Sequence, residues 1–251
     1  MSALFSIITV TYNASQWLER TIRSVLGQTS SDWEYIIIDG GSVDGTQEII
    51  RSYEDRIAYW VSEPDKGLYD AMNKGLKAAS GHYVCFLNAG DTFFSPDTLL
   101  NLSRIIQEKN FPDIIYGETE IMDEEGETVG MRRLRAPKSL SWKSFRMGML
   151  VCHQSFVVKR DVAMDYDLQY RLVSDYDWTI RCMKKADTII NSHLILSRFL
   201  VAGMSSTNRK DSLKERFAVM TKYYGFMPTI ARHLWFATRY YFAKCFKGRV
   251  E

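Results

Sequence analysis

No CxxC pair, no apolar run long enough to cross a bilayer, no excess of charge of one sign and no low-complexity tract occur in these 251 residues. Each absence excludes something. Four isolated cysteines, Cys85, Cys152, Cys182 and Cys245, lie in apolar or amphipathic stretches, which argues against a zinc finger or a disulfide framework and fits a reducing cytoplasm. The first residues carry no basic n-region, and ALFSIITV is too short for a signal or a span, so neither export nor a membrane-crossing segment is expected. A net charge of +2 favours no polyanionic partner for the chain as a whole. A glycine-rich, basic phosphate loop is missing after the first strand, where TYNASQW stands instead, and a sugar nucleotidyltransferase would want that loop.

What remains is an ordinary globular composition, 46% hydrophobic, enough for one substantial core. Apolar runs alternate with helical periodicity. Phe5 to Thr11 reads as a buried strand followed by a helix to about Gln28. Trp33 to Asp39 repeats the strand, GGSVDGT is a turn with Asp44 as helix cap, and Gln47 to Tyr53 is helical. Strands at Ile57 to Ser62 and His82 to Leu87 flank an amphipathic helix over Gly67 to Ser80. This density of βα units predicts a doubly wound α/β sheet. Beyond Pro96 the rhythm changes: a helix to about Glu108, then a hairpin of Asp113 to Met122 and Glu127 to Leu134 around DEEG. Ala136 to Leu150 has few regular signals and several basic residues, the makings of a lid, while Ser155 to Lys159 is a short strand before a helix that holds Asp175.

Four carboxylates recur near the ends of apolar runs: Asp39, Asp65 and Asp91 at equal intervals, then Asp175. Ligands of an open parallel sheet bind at the carboxyl ends of its strands, so acids repeated there point to one cleft suited to a metal or a nucleotide. Asp39, with two glycines behind it, can accept hydrogen bonds from a base or ribose, or cap the next helix. Thr11 and Tyr12 would flank the same base, Tyr12 as a stacking face or as a core tyrosine. Lys74 is placed to contact a diphosphate or to pair with Asp70 one helical turn earlier.

The segments FSIITVTYN, IIIDGGSVDGT, SEPDKGLYDAMNKG, YVCFLNAGD and SDYDWTIR, in this order over roughly residues 5 to 205, resemble the successive signatures of the family 2 glycosyltransferases. The resemblance implies a GT-A fold, a Rossmann-like, mostly parallel sheet, here with a C-terminal helical extension. It implies a domain over 1–208, with a nucleotide-sugar half of about 1–110 and an acceptor half of about 111–208, followed by a tail over 209–251. It further implies inverting transfer from a nucleotide-diphosphate sugar, a UDP-sugar as first guess, to a hydroxyl acceptor in surface polysaccharide biosynthesis. The basic tail, which would bring the cleft to a membrane, makes a glycan or lipid-linked glycan the expected acceptor. Asp39 then reads the nucleotide and Asp65 stands on the nucleotide side. Asn88 and Asp91 occupy the place of the DXD-like motif, where Asp91 would hold Mg²⁺ or Mn²⁺ with few other charges to help. Asp175 matches the acid that positions or acts as the general base, and Asp177 reads as a first-turn acid stabilised by the helix dipole. His153 and Gln154 resemble an element lining the acceptor side, with a packing histidine as the other reading. Arg132, Arg133 and Arg135 would reach phosphate from the lid or simply lie solvated, and Gly203-Met204-Ser205-Ser206 resembles a closing loop. A noncatalytic nucleotide-sugar-binding or scaffold protein is the rival from another class.

From Arg209 onward ten Lys or Arg meet three acids, with aromatics interleaved. A helical wheel sets Arg232, His233, Arg239, Lys244 and Lys247 on one arc and Ile230, Leu234, Trp235, Tyr241, Phe242 and Phe246 on the other. That pattern suits an anionic membrane surface on the inner face of the cell membrane, or a helix packed on the domain, or a homodimer contact. No groove-reading motif accompanies it, so nucleic acid is not expected.

Overall fold

The computed structural model describes residues 3–201 and 209–247, with side chains except at 209, 237 and 239–247. Strands β1 (Phe5–Thr11), β2 (Trp33–Asp39), β3 (Tyr59–Ser62) and β4 (Tyr83–Phe86) are parallel in the order β3-β2-β1-β4, connected by helices α1 (Ser15–Leu26), α2 (Thr46–Ser52) and α3 (Leu68–Ala78). Strands β1, β4 and most of β2 are buried throughout because both faces are covered, whereas the edge strand β3 is only half-buried. Phe5, Ile7, Tyr35 and Ile37 pack on one side with Leu18, Ile22 and Val25 of α1. Ile8, Val10, Ile36 and Ile38 pack on the other with Met72 of α3. There α3 approaches so closely that a Cβ on Gly75 would lie 2.4 Å from Ile8 Cγ2.

The remaining strands are β5 (Thr92–Phe93), β6 (Ile114–Met122), β7 (Thr128–Met131), β8 (Phe156–Lys159) and β9 (Ile189–Leu200), with helices α4 (Thr98–Glu108) and α5 (Ser174–Lys185). They extend the same sheet as β4-β8-β6-β9-β5, with β7 on the free part of β6. This half is mixed: β8 runs antiparallel to β4 and β6, and β9 parallel to β6. The β6-β7 hairpin forms as the sequence indicates, closed by Asp123 and Gly126. The segment expected to be a lid is instead anchored. Trp142–Met147 winds into a 3-10 turn capped reciprocally by Ser141 and Ser144, with Phe145 fully buried. Of the lid arginines, Arg135 pairs with Glu118 at 3.1 Å and Arg133 is exposed.

The tail is two helices, α6 (Arg209–Tyr224) and α7 (Phe226–Lys247), joined at Gly225, whose φ of 86° a side chain would oppose. Val219 and Met220 of α6 enter the main core. The expected division of α7 into a basic arc and an apolar arc is kept only in part over its first turns. His233 turns inward against Phe217, ring centroids 5.1 Å apart, while Leu234 and Trp235 are exposed. The Gly203 to Ser206 loop lies outside the described residues.

Candidate active site

Strand register brings the first site residues together. Thr11 lies opposite Asp39, and Asp39 opposite Ser62, in three adjacent strands. The buried Asp39 carboxylate accepts from Ser42 N at 2.9 Å, from Ser42 Oγ, and from Ser62 Oγ at 2.5 Å. Asp39 thus fixes the loop after β2. Gly40 then donates to Thr11 O at 2.9 Å, and a Cβ there would meet Asp65 Oδ2 at 3.1 Å and Tyr12 Cδ2 at 3.3 Å, so Tyr12, Gly40 and Asp65 form one wall. Tyr12 is 65% exposed, which leaves its ring face free and rules out the core-tyrosine reading. Beside it, Thr11 Oγ1 is a buried hydroxyl without a hydrogen-bond partner. Asp44, expected as the helix cap, stands one residue before the actual N-cap, Gly45, and its carboxylate instead bridges the starts of two helices, accepting from Thr46 N at 3.1 Å and Ser15 N at 3.0 Å.

Lys74 does not pair with Asp70, whose carboxylate caps Lys66 N at 3.0 Å. It reaches Asp65 at 2.5 Å and Glu63 at 2.8 Å. Burial drives the Asp65 carboxyl above its usual range, with the Lys74 ammonium pulling against it. Burial also pulls Lys74 down, but its two acids outweigh that and leave it raised, firmly a cation. The ammonium is therefore held in place by two carboxylates that offset its charge.

Asn88 and Asp91 sit in the turn after β4, pinned by Thr21 of α1, which receives Gly90 N at 2.9 Å and donates to Asp91 O at 2.8 Å. The Asp91 carboxylate is buried and takes one bond per oxygen, from Leu200 N at 3.0 Å and Gln154 Nε2 at 2.6 Å. Gln154, read from sequence as lining the acceptor side, thus lies against the metal-motif acid. Burial pushes Asp91 up to about 7, against those two donors. An ion fits this donor set sparingly. Each Asp91 oxygen retains a lone pair, and Asn88 Oδ1 is buried with no partner. Among the described residues no group of three His, Cys, Asp or Glu is placed around one point, so water and phosphate oxygens would have to complete the shell.

Across the cleft, Asp175 opens α5. Its Oδ1 accepts from Tyr69 Oη at 3.1 Å and Tyr176 N at 2.8 Å, and it remains partly exposed. Tyr69 comes from α3, directly after the loop that holds Asp65, so one helix connects both sides of the cleft. The Tyr69 ring stacks on Tyr166 at 5.5 Å, and Tyr166 on Trp178 at 4.9 Å. His153 lies inside this aromatic group, hydrogen-bonded to Tyr166 and 5.0 Å from the Phe86 ring, and burial holds it down to about 4 despite the charge of Asp175. A neutral packing residue is what this environment makes of it. Asp177, on the same first turn, is fully buried and binds Arg181, Lys222 and Tyr223, which is more than a dipole effect. Ser42, Ser62 and Tyr69 stand inside the segments IIIDGGSVDGT and SEPDKGLYDAMNKG with nothing in the local pattern to mark them individually, and Tyr166 lies outside every such segment. Ser62 becomes legible only once the register opposite Asp39 is known.

A curled, mostly parallel sheet covered by helices, with Asp39 ending β2 and Asp91 in the turn after β4, is the architecture of the GT-A class of folds. The chain belongs to glycosyl transferase family 2, whose model matches residues 6–167. It is 27% identical over 230 residues to the PGL/p-HBAD biosynthesis glycosyltransferase of Mycobacterium bovis, covering 87% of this chain and 86% of that one. It is 28% identical over 221 residues to the putative teichuronic acid biosynthesis glycosyltransferase TuaG of Bacillus subtilis, with 86% of each covered. Among solved structures, S. aureus TarS 1-349 in complex with UDP-GlcNAc superposes over 86% of this chain with TM-score 0.68 and 16% identity. The chain spans 65% of that TarS segment and 39% of the TarS chain. The mannosyltransferase PcManGT from Pyrobaculum calidifontis, in complex with GDP-Man and Mn²⁺, covers 93% of this chain and 69% of its own with TM-score 0.65 and 16% identity. These likenesses concern the fold.

Proposed function

We propose that this protein transfers a sugar from a nucleotide-diphosphate sugar, a UDP-sugar first, to an acceptor hydroxyl with inversion, and that the acceptor is a lipid-linked glycan intermediate of surface polysaccharide biosynthesis. The observation that carries the reading is the bond from Tyr69 to the partly exposed Asp175. Tyr69 stands near the start of α3, just after the loop that holds Asp65, so the bond ties this acid to the element that follows the Tyr12, Gly40 and Asp65 wall. The polysaccharide pathway is supported by what the relatives are named for.

In this reading the base stacks on Tyr12, and the Asp39 loop presents Thr11 Oγ1 and the Gly40 backbone to the nucleoside. Lys74 faces the diphosphate. Asp175 takes the proton of the acceptor hydroxyl as that oxygen bonds to the anomeric carbon and the bond to the diphosphate oxygen breaks. One displacement inverts the anomeric centre without a protein nucleophile. Asp91 and Asn88 Oδ1 would hold a divalent ion, Mg²⁺ or Mn²⁺, and when bound it supplies Lewis-acid neutralisation of the leaving diphosphate. The tail helices, packed on the domain through Val219, Met220 and Lys222, would bring the cleft to the inner face of the membrane, a reading supported by the exposed apolar side chains at the start of α7.

Calorimetric titration of UDP, GDP, dTDP and CDP, each with and without Mn²⁺, tests the donor half. Tight binding of one nucleotide, strengthened by Mn²⁺, is expected. Binding of none overturns the donor site, and binding of a nucleotide sugar with neither transfer nor hydrolysis favours the noncatalytic reading.

A further inference from the structure

A second cavity lies away from the strand-end cleft, between the Trp142–Met147 turn and the two tail helices, with a volume of about 370 Å³. Its walls are aromatic, from Trp142, Tyr223 and Tyr224, and its charged lining is entirely basic, from Lys143, Arg146 and Arg232. Trp142 and Tyr224 stack with centroids 5.8 Å apart and Tyr224 Oη donates to Trp142 O at 2.6 Å, so the aromatic wall is rigid. Lys184 adds a further ammonium 5.2 Å from the Trp142 ring. None of these four cations forms an ion pair with a carboxylate among the described residues, in contrast to Lys222, which is committed to Asp177. Unpaired cations converging on one cavity repel one another, and the arrangement is relieved by an anion of matching size. Arginine forks suit phosphate oxygens, and charge-assisted bonds of this kind are short and strong.

We infer that this cavity binds the phosphate group of a lipid. The same helix that supplies Arg232 exposes Phe226, Met227, Leu234 and Trp235, so apolar side chains flank the basic cavity where acyl or prenyl carbon would lie. The turn that lines the cavity also touches the residue after the base candidate. Phe145 of the turn stacks on Tyr176, and Tyr176 Oη donates to Phe145 O at 2.6 Å, one residue from Asp175. A phosphate held here anchors a lipid next to the acceptor side. The choice of a lipid over free phosphate rests on the proposed reading of the tail. The cavity itself does not rest on glycosyl transfer.

The test uses the full chain saturated with UDP, titrated below the micellar range with dihexanoyl phosphatidic acid or with inorganic phosphate and followed by ³¹P NMR. Lys143 and Arg146 are exposed at the rim, so K143Q/R146Q leaves the core untouched. The exposed pair Lys210 and Lys214, replaced as K210Q/K214Q, removes the same charge from the tail outside the cavity. The expected result is saturable binding of one lipid phosphate per chain, weakened roughly tenfold or more by K143Q/R146Q, the loss of two charge-assisted bonds, and far less by K210Q/K214Q. UDP affinity should be the same in all three proteins, which separates failure of this site from failure of the donor site. Equal losses in both variants, or no saturable binding, overturn the site. Inorganic phosphate binding as tightly as the lipid overturns the lipid as its source.

Discussion

Asp177 and Lys222, 45 residues apart in the chain, meet at 2.9 Å and fasten the first tail helix to the helix that carries Asp175. Arg181 at 2.6 Å and Tyr223 at 2.8 Å complete the coordination of this buried acid. Burial pushes its carboxyl up and these three donors more than reverse that, leaving it below the usual range. The tail is therefore part of the architecture around the base candidate.

Replacing Asp177 by Ala should cost about 3 kcal/mol, the lower end for removing one partner of a buried pair, because Lys222 keeps partial access to water. A depressed carboxyl contributes stability above its unfolded value that is lost as pH falls through the folded one. The wild-type advantage should therefore persist from neutral pH to about 4 and vanish below. Urea denaturation at several pH values measures it.

His153 gives the opposite kind of pH dependence. Its folded value of about 4 lies below the ordinary 6.5, so the unfolded chain takes up a proton first and stability falls as pH drops from about 6.5 to about 4. His153→Phe removes that term at the cost of the Tyr166 bond. Between pH 7 and 4.5 the wild type should lose about 2 kcal/mol more than the variant, from a shift worth 1.36 kcal/mol per unit. Parallel curves would contradict the buried, neutral assignment.

Tyr12→Ala should weaken nucleotide binding about tenfold, within the 1–3 kcal/mol of base–aromatic stacking, and leave the thermal midpoint within a degree or two because the ring is exposed. Tyr12→Phe should bind as the wild type does. Calorimetry and thermal unfolding on the same samples separate the two effects.

How much of this was legible in the sequence depends on the range of each interaction. Phe5–Thr11 and Trp33–Asp39 are found residue for residue because buried parallel strands are continuous apolar runs ending in a polar residue. Strand β9 gave no signal: Asn191, Ser192 and His193 interrupt its apolar pattern, His193 has a φ of 57°, and the register against β6 shifts there. The donors on Asp91 come from Gln154 and Leu200, 63 and 109 residues away, and no local pattern encodes them. Asp177 read as a helix-dipole acid because its neighbours allow that reading, and only the fold brings Lys222 to it. Lys74 was legible as a cation near the cleft, but its choice of Asp65 and Glu63 over Asp70 required the geometry of the loop before α3.

The most direct test is single-turnover sugar transfer by Asp175→Asn, measured beside its affinity for the donor nucleotide. Donor affinity within about twofold of wild type and a transfer rate reduced by 10²-fold or more are expected, the range by which a general base acts. Transfer at the wild-type rate with unchanged donor binding would contradict the assignment of Asp175 as base and the mechanism built on it.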